Sequence, residues 1–323
     1  MYKRILVPLD GSELAEESLT YAKELASRLD LEVVLLHVAS PAASDSLPMY
    51  RAYVEHAAEI LKLEAAEVRK KVGPGPEGES VQVKGEVIEG YPADEILRYA
   101  GDHEIDLILM VTHGRSGIRR WLLGSVADKV LQTSWLPVWL VRAGAKGAAY
   151  GEQLRFLVPL DGSEVAELVL PHVEALAKQR TTEPVELVLM RVCEPLIVAP
   201  VGAPEASLNW AKVAEEHMAG TRQAAEEYLR GIKDRFEGTG IKATLEVSEG
   251  SAADEIINYL NRNQCDLVIM ATHGRSGLSR WAYGSVAEKV LLGASCPIFL
   301  VRPPFKDSGP SPLITAVRQL PPI

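Results

Sequence analysis

The sequence predicts an α/β protein of two doubly wound domains, each a parallel sheet covered by helices on both faces. Three observations carry this. Apolar, branched runs alternate with amphipathic helical stretches, as strands joined by crossover helices do. Most of the strand runs are predominantly apolar, which marks a parallel sheet covered on both faces. And the whole pattern occurs twice in the 323 residues. Ile5–Glu13 (ILVPLDGSE) returns as Phe156–Glu164 (FLVPLDGSE), 151 residues later. Thr112–Leu131 returns as Thr272–Leu291, and Glu86–Ile96 as Glu246–Ile256, both 160 residues later. Two copies of this length are a duplicated domain rather than a solenoid.

The elements of the first half follow in order. Residues 3–9 read as a buried strand. Ser12 is placed to cap a helix running to about residue 29, with Leu14, Leu19, Ala22, Leu25, Ala26 and Leu29 on one face. Residues 32–39 form a second strand. A long helix over about 49–72 turns Tyr53, Ala57, Ile60, Leu61 and Val68 inward. Residues 80–88 alternate like a strand. Pro92 opens a short helix to about 101, with Asp94 in its first turn. A strand at 106–111, a glycine loop, a helix over about 124–134 and a strand at 137–142 complete the unit. The second half repeats these elements, with its extra residues placed around its second strand and the apolar loop Pro195–Pro204. Residues 1–143 and 154–303 are thus expected as domains. A small, glycine-bearing linker (144–153) joins them, and a proline-rich tail (304–323) follows. Gly73-Pro74-Gly75-Pro76-Glu77-Gly78 has dinucleotide-fingerprint spacing, but it follows a helix and carries prolines, so it reads as a loop.

Composition narrows the function. Lys plus Arg is 34 against 44 Asp plus Glu, a formal charge of −10. That argues against non-specific nucleic-acid binding and against an anionic membrane as partner. Cys193, Cys265 and Cys296 form no Cys-x-x-Cys and suit a reducing compartment. The N-terminal apolar run is too short for a signal peptide and no run approaches a membrane span, so the expected location is cytoplasmic.

The repeated stretch after the fourth strand carries the chemistry. It reads Thr112-His113-Gly114-Arg115-Ser116-Gly117, then Trp121, then Gly124-Ser125-Val126-Ala127-Asp128. In the second half it is Thr272-His273-Gly274-Arg275-Ser276-Gly277, Trp281 and Gly284-Ser285-Val286-Ala287-Glu288. Glycines permit positive φ and close ligand approach, and the following helix N-terminus favours an anion. Ser125 and Ser285 stand where an N-cap belongs, with Asp128 and Glu288 completing capping boxes. Arg115, Arg119, Arg120, Arg275 and Arg280 form a local basic patch that suits a polyphosphate. His113 and His273 are candidates for phosphate contact or packed loop histidines. They have no second ligand at metal spacing. In a doubly wound sheet ligands sit at the carboxyl ends of the strands, which places Asp10-Gly11 and Asp161-Gly162 beside these loops. Asp10 and Asp161 are also positioned to shape the first helix turn. Trp121 and Trp281 read as core or interface aromatics.

These landmarks, in order and twice, resemble the universal stress protein family. The resemblance covers 3–142 and 154–302. It implies a five-stranded parallel sheet in each half, order 3-2-1-4-5, and pairing of the halves through their last strands as an intrachain pseudo-dimer, leaving room for a further homodimer. The ATP-binding branch carries Gly-x-x-Gly, nine residues, then Gly-Ser or Gly-Thr. Gly114 and Gly274 match the second glycine, and Gly124-Ser125 and Gly284-Ser285 the close. Val111 and Ala271 replace the first glycine, and β-branched Val111 restricts the backbone more. The resemblance implies ATP as ligand. Asp10 and Asp161 would meet the ribose or a nucleotide-bound Mg²⁺. Main-chain groups near Val38 and Val192 would read the adenine edge, and Ser125 and Ser285 would donate to the terminal phosphates. With no general base evident, the expected function is ATP-holding in stress response or signalling without fast catalysis. A slow ATPase and a nucleotide-free scaffold are the alternatives.

Overall fold

The computed structural model describes residues 2–72, 81–112, 123–143, 154–178, 185–195, 206–273 and 283–303. The expected linker, the tail, the 73–78 loop and both tryptophans of the glycine loops lie outside these residues.

The first half runs β1 (Arg4–Leu9), α1 (Glu13–Leu29), β2 (Glu32–Ala39), a short 3₁₀ turn, α2 (Leu47–Val72), β3 (Val83–Glu89), α3 (Pro92–Asp102), β4 (Leu107–Thr112), α4 (Ser125–Thr133) and β5 (Val138–Arg142). The second runs β6 (Arg155–Pro159), α5 (Glu164–Glu167), α6 (Leu170–Ala177), β7 (Glu186–Cys193), α7 (Ala206–Asp234), β8 (Lys242–Glu249), α8 (Ala252–Arg262), β9 (Leu267–Ala271), α9 (Ser285–Gly293) and β10 (Ile298–Val301). The strands form one ten-stranded sheet, β3-β2-β1-β4-β5-β10-β9-β6-β7-β8. All pairs are parallel except β5 with β10, where Trp139 lies opposite Phe299 in antiparallel register. Two apolar layers sandwich the sheet, each shared by both halves. Among the described residues no helix is long and apolar enough to cross a membrane.

Local chemistry explains the elements. Ser12 and Ser163 cap their helices, accepting from Ala15 N at 3.2 Å and Ala166 N at 3.1 Å. Pro92 lies in the first turn of α3, where its missing N–H costs nothing. The second half departs from the first at Pro171. Its ring excludes the carbonyl of Glu167, four residues back, and the helix breaks there into α5 and α6. Two helical faces also differ from the periodicity reading. Leu14 is 37% exposed and lines the open cavity at the carboxyl end of the sheet. In α2 the inward stripe is Val54, Ala58, Leu61 and Ala65, which leaves Ile60 43% exposed.

Helix α2 presses closely on β3 at Gly85. A Cβ there would lie 2.7 Å from the Val54 carbonyl oxygen, a backbone atom with no rotamer to give way. Gly85→Ala is therefore expected to cost about 1–3 kcal/mol of stability, read as a lower urea midpoint.

The seam between the halves is aromatic. Trp139 packs edge-on against Phe299 at 5.9 Å, and Tyr2 and His172 close around the same ring. Tyr2 Oη lies 2.6 Å from His172 Nδ1. Burial pushes His172 down to about 4 from its ordinary 6.5. The unfolded chain therefore binds a proton that the folded chain does not take up until about pH 4. Stability from this group is complete above pH 6.5 and is lost as pH falls from there towards 4. His172→Gln is expected to flatten urea midpoints measured across pH 4–7.

Candidate functional site

A cavity opens at the carboxyl end of the sheet in each half. The first, about 380 Å³, is lined by Pro8 to Asp10, Ser12, Leu14, Ala15, Leu36, Val38, Pro92, Ile96, Met110, Val111 and Gly124 to Ala127. The second, about 340 Å³, is lined by Pro159 to Asp161, Ala166, Met190, Val192, Glu194, Ala252, Ile256, Met270 to His273 and Gly284 to Ala287. Both volumes fall in the range of small-molecule sites, about 300–1,000 Å³.

The floor of each cavity is the β1–α1 turn or its repeat. Asp10 Oδ1 accepts from Ser12 N at 2.9 Å and Ser12 Oγ at 2.6 Å, and Asp161 makes the same two bonds with Ser163. Gly11 and Gly162 hold φ of +82° in these turns, a conformation that suits glycine. The aspartates thus shape the turn and also line the cavity.

The back wall is the end of the second strand. Along β2 peptide groups alternate in direction. Glu32 N donates to Lys3 O in the β1 direction at 2.8 Å, whereas Val33 N donates to Gln82 O towards β3 at 2.9 Å. Ala39 O also accepts from the β3 side, from Gly90 N. Val38 therefore turns its peptide groups towards β1, and β1 ends at Leu9, opposite His37. Val192 stands likewise in β7, between the β6-directed Met190 and the β8-directed Cys193. Beneath each wall the halves diverge. His37 is buried, with Nδ1 3.0 Å from Leu9 O and its ring stacked 4.1 Å from Tyr50. Burial holds its pKa below the usual value. Arg191 takes that position in the second half, its guanidinium 5.0 Å from the Tyr228 ring.

The roof is the start of α4 or α9. Here the capping-box expectation is corrected. Gly124 and Gly284 are the N-caps, with extended backbone, and neither helix has a side-chain cap. Ser125 and Ser285 are the first helical residues, one position past the place where a side chain folds back on the third amide. Their hydroxyls join the first-turn amides at the cavity rather than satisfying them. Gly284 N donates to Thr272 O at 2.8 Å, closing the loop back onto β9.

Val111 and Ala271 both line their cavities but end differently. Val111 and Thr112 still pair with Val141 and Arg142, so β4 runs one residue further than β9, which stops at Ala271. His273 is half-buried on the second cavity wall, with Thr272 Oγ1 3.1 Å from its Nδ1. His113, Gly114, Arg115, Gly117, Gly274, Arg275 and Gly277, with Arg119, Arg120 and Arg280, lie outside the described residues.

Sequence reasoning missed the apolar lining from Leu36, Ile96, Met110 and their repeats. Strand alternation held the signal, since Leu36 and Val38 share a face. It also missed Glu194, whose carboxylate lies 3.4 Å from Ala252 N at the start of α8. Among the described residues no group of three or more His, Cys, Asp and Glu gathers as a metal site.

In each half a glycine turn, the end of the second strand and an uncapped helix start meet at the carboxyl edge of a doubly wound α/β sheet, the edge at which ligands of such folds sit. Residues 1–142 and 154–302 each match the universal stress protein family. The chain belongs to that family, as a tandem member. A universal stress protein of Mycolicibacterium smegmatis is 27% identical over 303 residues, spanning 93% of this chain and 97% of that one. One from Methanocaldococcus jannaschii is 37% identical over 146 residues, 45% of this chain and 85% of the relative. The crystal structure of a universal stress protein from Archaeoglobus fulgidus shares the fold, with a TM-score of 0.60 over 93% of this chain and 98% of that chain at 22% identity.

Proposed function

We propose that this chain is an ATP-holding protein of stress response or signalling, with one nucleotide at the carboxyl edge of each half. The observation that carries the reading is the start of α9. An uncapped helix N-terminus, with Ser285 as its first residue, faces a cavity whose opposite wall is the end of β7 at Val192. Phosphates suit the first and an adenine edge suits the second. Asp161, on the turn between them, is placed for the ribose or a nucleotide-bound Mg²⁺. Asp10, Val38, Gly124 and Ser125 repeat the set in the first half. The glycine loops 113–117 and 274–277, with their arginines, would complete the phosphate cradle.

The residues present fit holding better than turnover. Hydrolysis needs a group that orients water on the terminal phosphate. The described cavity walls offer Asp10 in one half and Asp161, Glu194 and His273 in the other. Asp10 and Asp161 are engaged in their turns, Glu194 in contact with α8, and His273 with Thr272. We assign the second half the tighter site, because Ala271 leaves the backbone freer than Val111. The β5–β10 pairing lets the halves serve as a pseudo-dimer within one chain, in the cytoplasm.

The test is to denature freshly purified protein and identify what it releases by chromatography and mass. ATP is expected. ADP alone would argue for turnover. Release of no nucleotide, followed by no uptake from Mg-ATP, would overturn the reading.

A further inference from the structure

One side chain links the two helix starts that wall the cavities across the seam. Tyr283 immediately precedes Gly284 and Ser285, which wall the second cavity. Its hydroxyl lies 3.4 Å from both the carbonyl oxygen and Oδ1 of Asp128. Asp128 is in the first turn of α4, whose start walls the first cavity. Gln132 Nε2 donates to both Asp128 carboxylate oxygens at 2.9 Å, and Arg302, just past β10, donates to the Gln132 carbonyl oxygen. The second half thus grips α4 near both of its ends. The tyrosine contact itself is not repeated, because Leu123 holds the position equivalent to Tyr283 and has no hydroxyl to offer Glu288. Burial and the neighbouring Asp128 hold the Tyr283 hydroxyl well above its ordinary pKa, so it remains a donor.

We propose that Tyr283 is a positioning residue shared by both cavities, through which a ligand seated in one half strengthens binding in the other. The proposal rests on the nucleotide reading. An anion held at Ser285 and the first-turn amides of α9 fixes the segment that carries Tyr283. A fixed Tyr283 hydroxyl in turn fixes the first turn of α4 through Asp128, and that turn supplies the amides and Ser125 of the first cavity. Ordering paid by the first ligand is not paid again by the second. The coupling is reciprocal, whichever half fills first.

The experiment is calorimetric titration of the full chain with Mg-ATP, in wild type and Tyr283→Phe. Each is compared with and without Ser285→Asp, which blocks the second cavity. In wild type, blocking the second cavity is expected to weaken first-cavity binding about five- to tenfold, a moderate coupling. In Tyr283→Phe the same block is expected to leave first-cavity affinity unchanged. A purely structural brace would lower thermal stability yet leave the effect of the block intact, and that result overturns the proposal. So does wild-type binding at both cavities with no effect of the block. Absence of Mg-ATP binding at either cavity would overturn the nucleotide reading itself, and the coupling with it.

Discussion

Replacing Ser285 by Asp is expected to weaken Mg-ATP binding in the second half by about 100-fold, with thermal stability nearly unchanged. The substitution removes a hydroxyl donor and sets a carboxylate where the terminal phosphates would lie. A hydrogen bond to a charged group contributes about 1.5–3 kcal/mol, and each 1.4 kcal/mol is a factor of ten in affinity. Like-charge repulsion adds to that loss. Stability should hold because an acidic residue in the first turn of α9 favours the helix dipole. Ser285 also caps nothing that the substitution would release. The opposing effects on ligand and on fold make this variant informative. Calorimetry and a melting curve on one preparation measure both. If affinity fell only in step with stability, Ser285 would be a helix residue without a binding role.

The largest expected loss of stability comes from Trp139→Ala. Trp139 is 1% exposed and lies directly opposite Phe299 in the β5–β10 pair. It also contacts the Tyr21 ring at 6.4 Å. Truncating a buried aromatic of this size costs about 3–5 kcal/mol. Because the side chain fills the seam, the damage should fall on the union of the halves as well as on the first core. Urea unfolding is expected to move to a much lower midpoint and to split into two transitions. A single transition shifted by less than 1 kcal/mol would show that the seam contributes little to cohesion.

Much of this fold was legible because the strands are buried on both faces. Runs such as Glu32–Ala39 and Leu107–Thr112 are apolar but for Glu32, His37 and Thr112, and their ends fell within a residue or so of the expectation. Ser12 was legible as a cap for a local reason, since its hydroxyl needs only the amide of Ala15. Ser125 was not. Gly124 adopts an extended backbone and takes the cap position itself, and one residue of shift turns a helix cap into a free hydroxyl. The repeat concealed Pro171, because matching landmarks on either side implied one continuous helix. Periodicity assigned Leu14 to the inward stripe correctly in angle. It carries no information on where a cavity opens, and Leu14 lines one. Of the site, Asp10, Asp161 and the two Gly-Ser pairs stood out through duplication. Glu194 and Tyr283 did not, since their counterparts Ser40 and Leu123 differ in chemistry, and a repeat reveals only what both copies retain.

Calorimetric titration of nucleotide-stripped protein with Mg-ATP tests the central claim most directly. Two molecules are expected to bind per chain, with the tighter step weakened about 100-fold by Ser285→Asp and the weaker step reduced likewise by Ser125→Asp. Absence of binding heat across a range of temperatures, with the protein folded by circular dichroism, would contradict it.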